Sequence, residues 1–189
     1  MFRPKRRTVV SVAAVAAALL TGALVVTFTQ GRGQAADPGY VLYPAGHRAL
    51  APDFTATSLT GTPIKFTSYR GKVVVVNFWG SWCDPCRREA ATLAVIAKQY
   101  QAHGVSFLGV DLGDTPVNAL AFTREAGITY PSVNDAGYAV EQDFSLADPI
   151  PGPPTTMVID RTGHIAGEIF GGATYTALTT LLHDVTVTT

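Results

Sequence analysis

The two cysteines of this 189-residue chain, Cys83 and Cys86, carry its most recognisable chemistry. Two cysteines are too few for a disulfide-stapled scaffold or for a structural zinc site built from cysteines alone. They lie three positions apart, and a bridge that closes so short a loop adds little chain-entropy stabilisation. The pair therefore indicates reactive sulfur chemistry rather than a structural crosslink.

The elements on either side of the cysteines predict how they are positioned. Residues 73–78 (VVVVNF) form a β-branched run typical of a strand buried on both faces, and a helix is predicted over 84–101. Cys83 then lies at a helix N-terminus, where free backbone N–H groups stabilise a thiolate. Cys86 lies one turn further on, close enough to bond to the Cys83 sulfur. This arrangement predicts thiol–disulfide exchange, in which Cys83 attacks and Cys86 resolves the mixed disulfide.

Three other interpretations of the cysteine pair stay open. It could be half of a zinc site, although there is no second CxxC and the four histidines form no HxxxH pair. It could carry copper together with a distant histidine, with His164 and His183 as candidates. It could also be two buried, inert cysteines. The strand–WCxxC–helix context favours redox chemistry over all three.

The remainder of the domain alternates between strand-like and helix-like segments. A short hairpin (54–58 and 64–66) comes first, and a buried strand (105–111), a helix from Thr115 to about Gly127 and a short helix (138–144) follow the cysteine helix. A second hairpin (155–160 and 165–170) and an amphipathic helix (175–184) complete the pattern. This order predicts an α/β fold, a mixed sheet covered by helices.

The amino terminus predicts a location outside the cytoplasm. Residues 2–7 are strongly basic and residues 8–29 carry no charge, which is the pattern of a single-pass membrane anchor at 1–29 with the domain on the outer side. A cleaved signal peptide, with residues 33–35 at the cleavage site, is the alternative. Residues 30–50 are interpreted as a linker and 51–189 as the domain. Residues 30–189 have a formal net charge of −4, which argues against nucleic acid as a partner.

Two stretches carry a resemblance to a known family. Residues 51–89 (APDFTATSLTGTPIKFTSYRGKVVVVNFWGSWCDPCRRE) and 152–165 (GPPTTMVIDRTGHI) resemble the TlpA/ResA/CcmG (DsbE) family of membrane-tethered thiol–disulfide oxidoreductases, within the redoxin or AhpC/TSA superfamily. The resemblance covers about residues 50–185. It implies a thioredoxin fold with an N-terminal β-hairpin and a central helical insertion near 115–127, working through a Cys83–Cys86 redox disulfide without a cofactor or metal.

The resemblance also implies roles for residues near the disulfide. Cys83 would be the exposed nucleophile and Cys86 the resolving thiol. Glu89 matches the acidic residue that follows the CxxC motif and could accept or return protons, and the alternative is a solvated side chain in an Arg-Arg-Glu run. Asn77 occupies the position where cytoplasmic thioredoxins have a buried aspartate.

Substrate binding is expected from the residues that face the disulfide. Pro154 would be a cis-proline followed by Thr155, and Trp82 would form part of an apolar rim with Trp79, unless the tryptophans are core residues. Pro153 departs from the family pattern, because this position commonly pairs with substrate backbone and proline has no N–H to donate. Docking of peptides is therefore expected to be weaker or differently shaped.

By resemblance, the function is reduction of client protein disulfides, including those of apocytochrome c during cytochrome c maturation, with electrons from a membrane thiol carrier of CcdA or DsbD type. Asp84 beside Cys83 disfavours the thiolate by like charge, and a less stable thiolate also favours the role of a reductant. A peroxiredoxin-like antioxidant is one alternative, but Val76 and Gly80 replace the residues of the PxxxTxxC motif. A Sco-type copper carrier is the other, although that family spaces its cysteines as CxxxCP.

Overall fold

The computed structural model describes residues 39–188, without the side chain of the last. None of the helices in this range is long and apolar enough to cross a membrane. The predicted anchor at 1–29 and the first part of the predicted linker lie outside the described residues. The cleavage site at 33–35 lies outside them as well.

The described part of the chain contains eight strands and four α-helices. The strands are β1 (Val41–Leu42), β2 (Thr55–Thr57), β3 (Pro63–Lys65), β4 (Val73–Trp79), β5 (Val105–Leu112), β6 (Ser132–Asp135), β7 (Thr155–Ile159) and β8 (Ile165–Phe170). The helices are α1 (Asp84–Tyr100), α2 (Pro116–Glu125), α3 (Ala139–Ala147) and α4 (Tyr175–Thr188), with 3-10 turns at Phe66–Tyr69 and Gln101–His103. Each predicted helix and hairpin is confirmed, with ends that differ by a few residues.

Six of the strands form one mixed sheet in the order β1-β8-β7-β4-β5-β6. Strands β4, β5 and β6 are parallel, β7 runs antiparallel to β4, and β2 and β3 form a separate hairpin. The register places Asn77 between Thr156 and Gly109, and places Trp79 beside Asp111. This is the mixed sheet flanked by helices that the sequence predicts, and the segment α2–β6 supplies the expected insertion.

Every residue of the central strand β4 is buried, because the strand lies between two apolar layers. Val74, Val76 and Phe78 face a core that includes Phe144 of α3. Val73 and Val75 face the opposite core, which contains the inner faces of α1 and α4. A strand covered on both sides accounts for the continuous β-branched run in the sequence.

The linker prediction is wrong for residues 39–50, which pack against the domain. Strand β1 pairs antiparallel with β8, and Arg48 Nη1 contacts Asp160 Oδ2 at 2.8 Å, with the two side chains 7% and 3% exposed. A two-residue edge strand is too short to show a period in the sequence, and the ion pair joins residues 112 positions apart. The domain therefore begins before Ala51.

Candidate active site

The two cysteines lie where β4 gives way to α1, and they form a disulfide with a Cα–Cα distance of 5.3 Å. Cys83 is the N-cap of α1, in an extended conformation, and its sulfur accepts a hydrogen bond from the backbone N–H of Cys86 at 3.2 Å. A negative charge on this sulfur would meet the N–H groups of the first helical turn. Pro85 in that turn costs no intrahelical hydrogen bond.

Both cysteines are more buried than the resemblance implies for an exposed nucleophile. Cys83 is 5% exposed and Cys86 is 1% exposed. They belong to a small apolar cluster with Trp79 of β4 and Phe122 of α2, which covers the disulfide from the side of the insertion. Cys83 remains the more accessible of the two, which is the order that the exchange mechanism needs.

The two tryptophans have different environments. Trp79 is 2% exposed and packs on Phe122 with ring centroids 5.0 Å apart, so it is a core residue. Trp82 is 56% exposed, and its Nε1 donates to the carbonyl of Leu112 at 3.0 Å. Only Trp82 therefore contributes to the rim around the disulfide.

The Pro153–Pro154 peptide bond is cis and lies directly before β7. Thr155 pairs with Phe78 of β4, so this loop lies at the same edge of the sheet as the cysteines. The Thr155 side chain is fully buried and donates to the carbonyl of Gly152 at 2.7 Å. Its hydroxyl stabilises the loop, in which Pro153 is half-buried and Pro154 is buried.

Glu89 is 4% exposed, so the interpretation of a solvated side chain is wrong. Its Oε1 accepts from Asn77 Nδ2 at 2.9 Å and its Oε2 accepts from the backbone N–H of Ala173 at 2.5 Å. Burial raises the pKa of Glu89 to about 7, although these two hydrogen bonds lower it in part. The carboxyl group can therefore hold or release a proton near neutral pH.

The sequence analysis did not single out Asp111, which lies on the neighbouring strand β5, or Asp114, which lies in the loop after that strand. Asp114 Oδ2 accepts from the backbone N–H of Ser81 at 3.0 Å and so fixes the cysteine loop. Asp111 is fully buried beside Trp79. The available signal was an acidic residue near the end of a buried run, VSFLGVDLGD, next to the strand that carries the cysteines.

The histidines of the copper-carrier interpretation are not gathered at the cysteines. His164 lies in the turn between β7 and β8, at the opposite end of the sheet, and hydrogen-bonds to Thr162. His183 is exposed on α4. No group of three or more His, Cys, Asp or Glu side chains within residues 39–188 could hold a metal ion.

A mixed sheet with a disulfide at a strand-to-helix junction and a cis-proline loop at the same edge defines a thioredoxin-like redox protein. The chain belongs to the AhpC/TSA family, whose family model matches residues 48–167. The fold class and the resemblance predicted from the sequence are thereby confirmed.

Curated relatives and solved structures agree with this assignment. The chain is 40% identical over 127 residues to the thiol-disulfide oxidoreductase ResA of Geobacillus thermodenitrificans, covering 67% of this chain and 70% of the relative. It is 29% identical to ResA of Bacillus subtilis, covering 77% of this chain and 82% of the relative. A DsbF homologue from Corynebacterium diphtheriae superimposes with a TM-score of 0.70 at 26% identity, covering 82% and 95%. A secreted thiol-disulfide isomerase from Corynebacterium glutamicum also gives 0.70, at 28% identity, covering 80% and 91%.

Proposed function

We propose that this thiol–disulfide oxidoreductase reduces disulfides of client proteins outside the cytoplasm. The observation that carries the proposal is the Cys83–Cys86 disulfide at the N-terminus of α1, at the sheet edge that also holds the cis-proline loop. Stabilisation of the Cys83 thiolate by the helix makes this sulfur the attacking group and the better leaving group.

The exchange proceeds in two balanced steps. The Cys83 thiolate attacks one sulfur of the client disulfide, and the other client sulfur leaves as a thiolate and takes up a proton. Cys86 then loses its proton and attacks Cys83, which releases the second client sulfur and forms the Cys83–Cys86 disulfide. The client gains two electrons, and the enzyme must be reduced by another thiol before the next turnover.

Glu89 is the proposed acceptor for the proton of Cys86. It follows Cys86 by three residues on α1, so the two lie on the same face of the helix. A surface groove lined by Pro85, Thr92 and the segment 172–175 reaches Glu89. This groove lets the carboxyl group exchange its proton with solvent, and its pKa of about 7 suits transfer in both directions.

Client docking is proposed for the exposed surface around Cys83. Trp82 provides an apolar contact, and the cis loop at Pro153–Pro154 provides backbone on the other side. Pro153 has no N–H for a client backbone carbonyl, so main-chain pairing there lacks one hydrogen bond. We infer that clients are held chiefly by contacts beside their disulfide and through Trp82.

The biological setting is proposed from the resemblance to the TlpA/ResA/CcmG family. The clients would be apocytochrome c cysteines during cytochrome c maturation, and the electrons would come from a CcdA- or DsbD-like membrane carrier. The uncharged segment 8–29 would hold the protein in the membrane with the domain outside. ResA is also the name of the curated relatives that match most of this domain.

Disulfide reduction of insulin and of a CxxCH peptide by the wild type and two variants tests the proposal. Cys83→Ser should abolish reduction, whereas Cys86→Ser should accumulate a mixed disulfide because it retains the attacking sulfur. The two variants are matched controls, since each removes one sulfur from the same disulfide. A mixed disulfide that accumulates with Cys83→Ser instead of Cys86→Ser, or reduction that continues without either sulfur, would contradict the assignment.

A further inference from the structure

Asp111 is a buried carboxyl group that the exchange mechanism does not use. Its side chain is 0% exposed, and neither oxygen has a hydrogen-bond partner among the described residues. Most buried carboxylates in proteins are paired or accept several N–H bonds, because leaving one unpaired is costly. An unpartnered acid at this depth points to a role that depends on its proton.

The sheet face around Asp111 is polar and tightly packed. Asp111 lies between Trp79 of β4 and Asn134 of β6, and Gly109 and Ser132 form the next row on the same face. Trp79 Nε1 and Ser132 Oγ also have no partner among residues 39–188. A Cβ at Gly109 would lie 2.6 Å from the Trp79 nitrogen and 2.3 Å from the Ser132 oxygen, so both atoms lie over the glycine.

The charges that face Asp111 are mostly negative. Burial is the main cause that raises the pKa of Asp111 to about 7, and the carboxylates of Asp114 and Asp135 add to it. On α1, Glu89 is held by Asn77 and Ala173, and Arg87 extends to the surface, where it pairs with Glu125 of α2.

Asp111 is closely connected to the cysteine loop. The next residue, Leu112, accepts the indole hydrogen bond of Trp82, and Asp114 binds the N–H of Ser81. Trp79, the strand partner of Asp111, belongs to the same apolar cluster as both cysteines. Asp111 lies one strand spacing, about 4.8 Å, from Trp79, and a four-residue loop joins Trp79 to the cysteine helix. The Asp111 carboxyl therefore lies on the order of 10 Å from the Cys83 sulfur, and protein rather than water fills the space between them.

We propose that Asp111 is a second internal proton acceptor, which takes up a proton when the Cys83–Cys86 disulfide is reduced. Reduction by a dithiol delivers two electrons and breaks the S–S bond, and Cys86 takes one proton to become a thiol. Cys83 becomes a thiolate, and the ionised Asp111 takes a second proton from solvent so that two negative charges do not face each other. Oxidation returns both protons. The inference rests on the proposed exchange activity and adds a residue to it.

The test measures protons taken up per disulfide reduced, from the pH dependence of the equilibrium with dithiothreitol or glutathione. Near pH 7.5, the Glu89→Gln variant should take up about 1.5 protons, because a shift of about one unit in the pKa of Asp111 binds about half a proton, and Glu89→Gln/Asp111→Asn should take up close to one. Iodoacetamide labelling should show the pKa of Cys83 lowered by about one unit when Asp111 is replaced, because removing a charge ~10 Å away at an effective dielectric constant near 20 has that effect.

Asp53→Asn is the matched control, since it makes the same change to a half-exposed carboxylate that pairs with Arg70 far from the cysteines. It should change neither the proton count nor the Cys83 pKa. The wild type offers a readout that needs no substitution, because the carboxyl ¹³C resonance of Asp111 should titrate at higher pH in the reduced protein than in the oxidised protein.

The same proton count and Cys83 pKa with and without Asp111, or an Asp111 resonance that titrates identically in both redox states, would overturn the inference. These measurements use the equilibrium with small thiols, so they report on Asp111 even if insulin is not reduced. Failure of the proposed function would appear in the insulin assay alone.

Discussion

Replacement of Glu89 by glutamine should change how the stability of the oxidised protein depends on pH. In the folded protein the pKa of Glu89 is raised from 4.5 to about 7, chiefly by burial. The folded state then binds a proton more tightly than the unfolded state, so stability falls as pH rises from about 4.5 to 7. At about 1.4 kcal/mol per pH unit, the loss amounts to about 3 kcal/mol.

The glutamine variant lacks this loss of stability with rising pH, but it is destabilised by a constant amount at every pH. Both oxygens of Glu89 accept from donors, Asn77 Nδ2 and the backbone N–H of Ala173, so the amide of glutamine must turn its NH₂ group toward one of them. That mismatch costs about 1–2 kcal/mol at every pH. We expect the variant to be less stable than the wild type in acid and more stable in mild alkali.

Urea unfolding of the two oxidised proteins across this pH range measures the effect. Other buried acids contribute to both proteins, so the difference between their free energies of unfolding isolates Glu89. That difference should change by about 3 kcal/mol, with its midpoint between pH 4.5 and 7. A difference that stays constant with pH would show that Glu89 ionises in the folded protein as it does in water, which would refute its assignment as a neutral-pH proton acceptor.

Three further predictions concern other parts of the domain. Pro153→Val supplies a backbone N–H beside the cis-proline. Mixed-disulfide formation with a disulfide peptide should then accelerate about fivefold, because one added hydrogen bond contributes about 1 kcal/mol. An unchanged rate would exclude client pairing at this position. Arg48→Met leaves the buried carboxylate of Asp160 without its ion-pair partner. The free energy of unfolding, measured in urea, should fall by about 3 kcal/mol. A loss below about 1 kcal/mol would show that the ion pair is not needed for stability. Burial, together with the nearby carboxyl of Asp148, raises the pKa of Glu168 to about 8, so ionisation of Glu168 should lower the stability of the wild type toward that pH. Glu168→Gln should make this loss smaller in thermal unfolding, and parallel pH profiles of the two proteins would contradict the prediction.

The position of the disulfide followed from the sequence because its causes are local. The strand run at 73–78, the helix period after Asp84 and the proline in the first helical turn lie within about 25 residues, and each acts on the backbone near the cysteines. The cis-proline loop came from resemblance rather than from any pattern of polarity. The mixed sheet covered by helices followed from the alternation of strands and helices, but the six-stranded order did not, because strands β1 and β6 were not predicted.

The environment of the acids could not be predicted in this way because it is set by distant contacts. Glu89 follows two arginines and reads as a surface residue, yet the N–H of Ala173, 84 positions later, and the amide of Asn77 enclose it. The burial of Asp111 depends on Trp79 and on strand β6, which the sequence pattern did not predict. A local pattern therefore gives the backbone frame, while the protonation chemistry is decided by side chains that pair across the sheet.

Glu89 and Asp111 both have a pKa near 7, but for reasons that should make them respond differently to reduction. Glu89 has two donors that hold its charged form, the amide of Asn77 and the backbone N–H of Ala173. Asp111 has no such donors among the described residues, and nearby carboxylates already oppose its charge. A new thiolate at Cys83 repels the charged form of Asp111 with no donor there to respond, whereas the two donors at Glu89 can shorten their hydrogen bonds and offset part of the same repulsion. Of the two acids, Asp111 should show the larger change in pKa between the oxidised and the reduced protein.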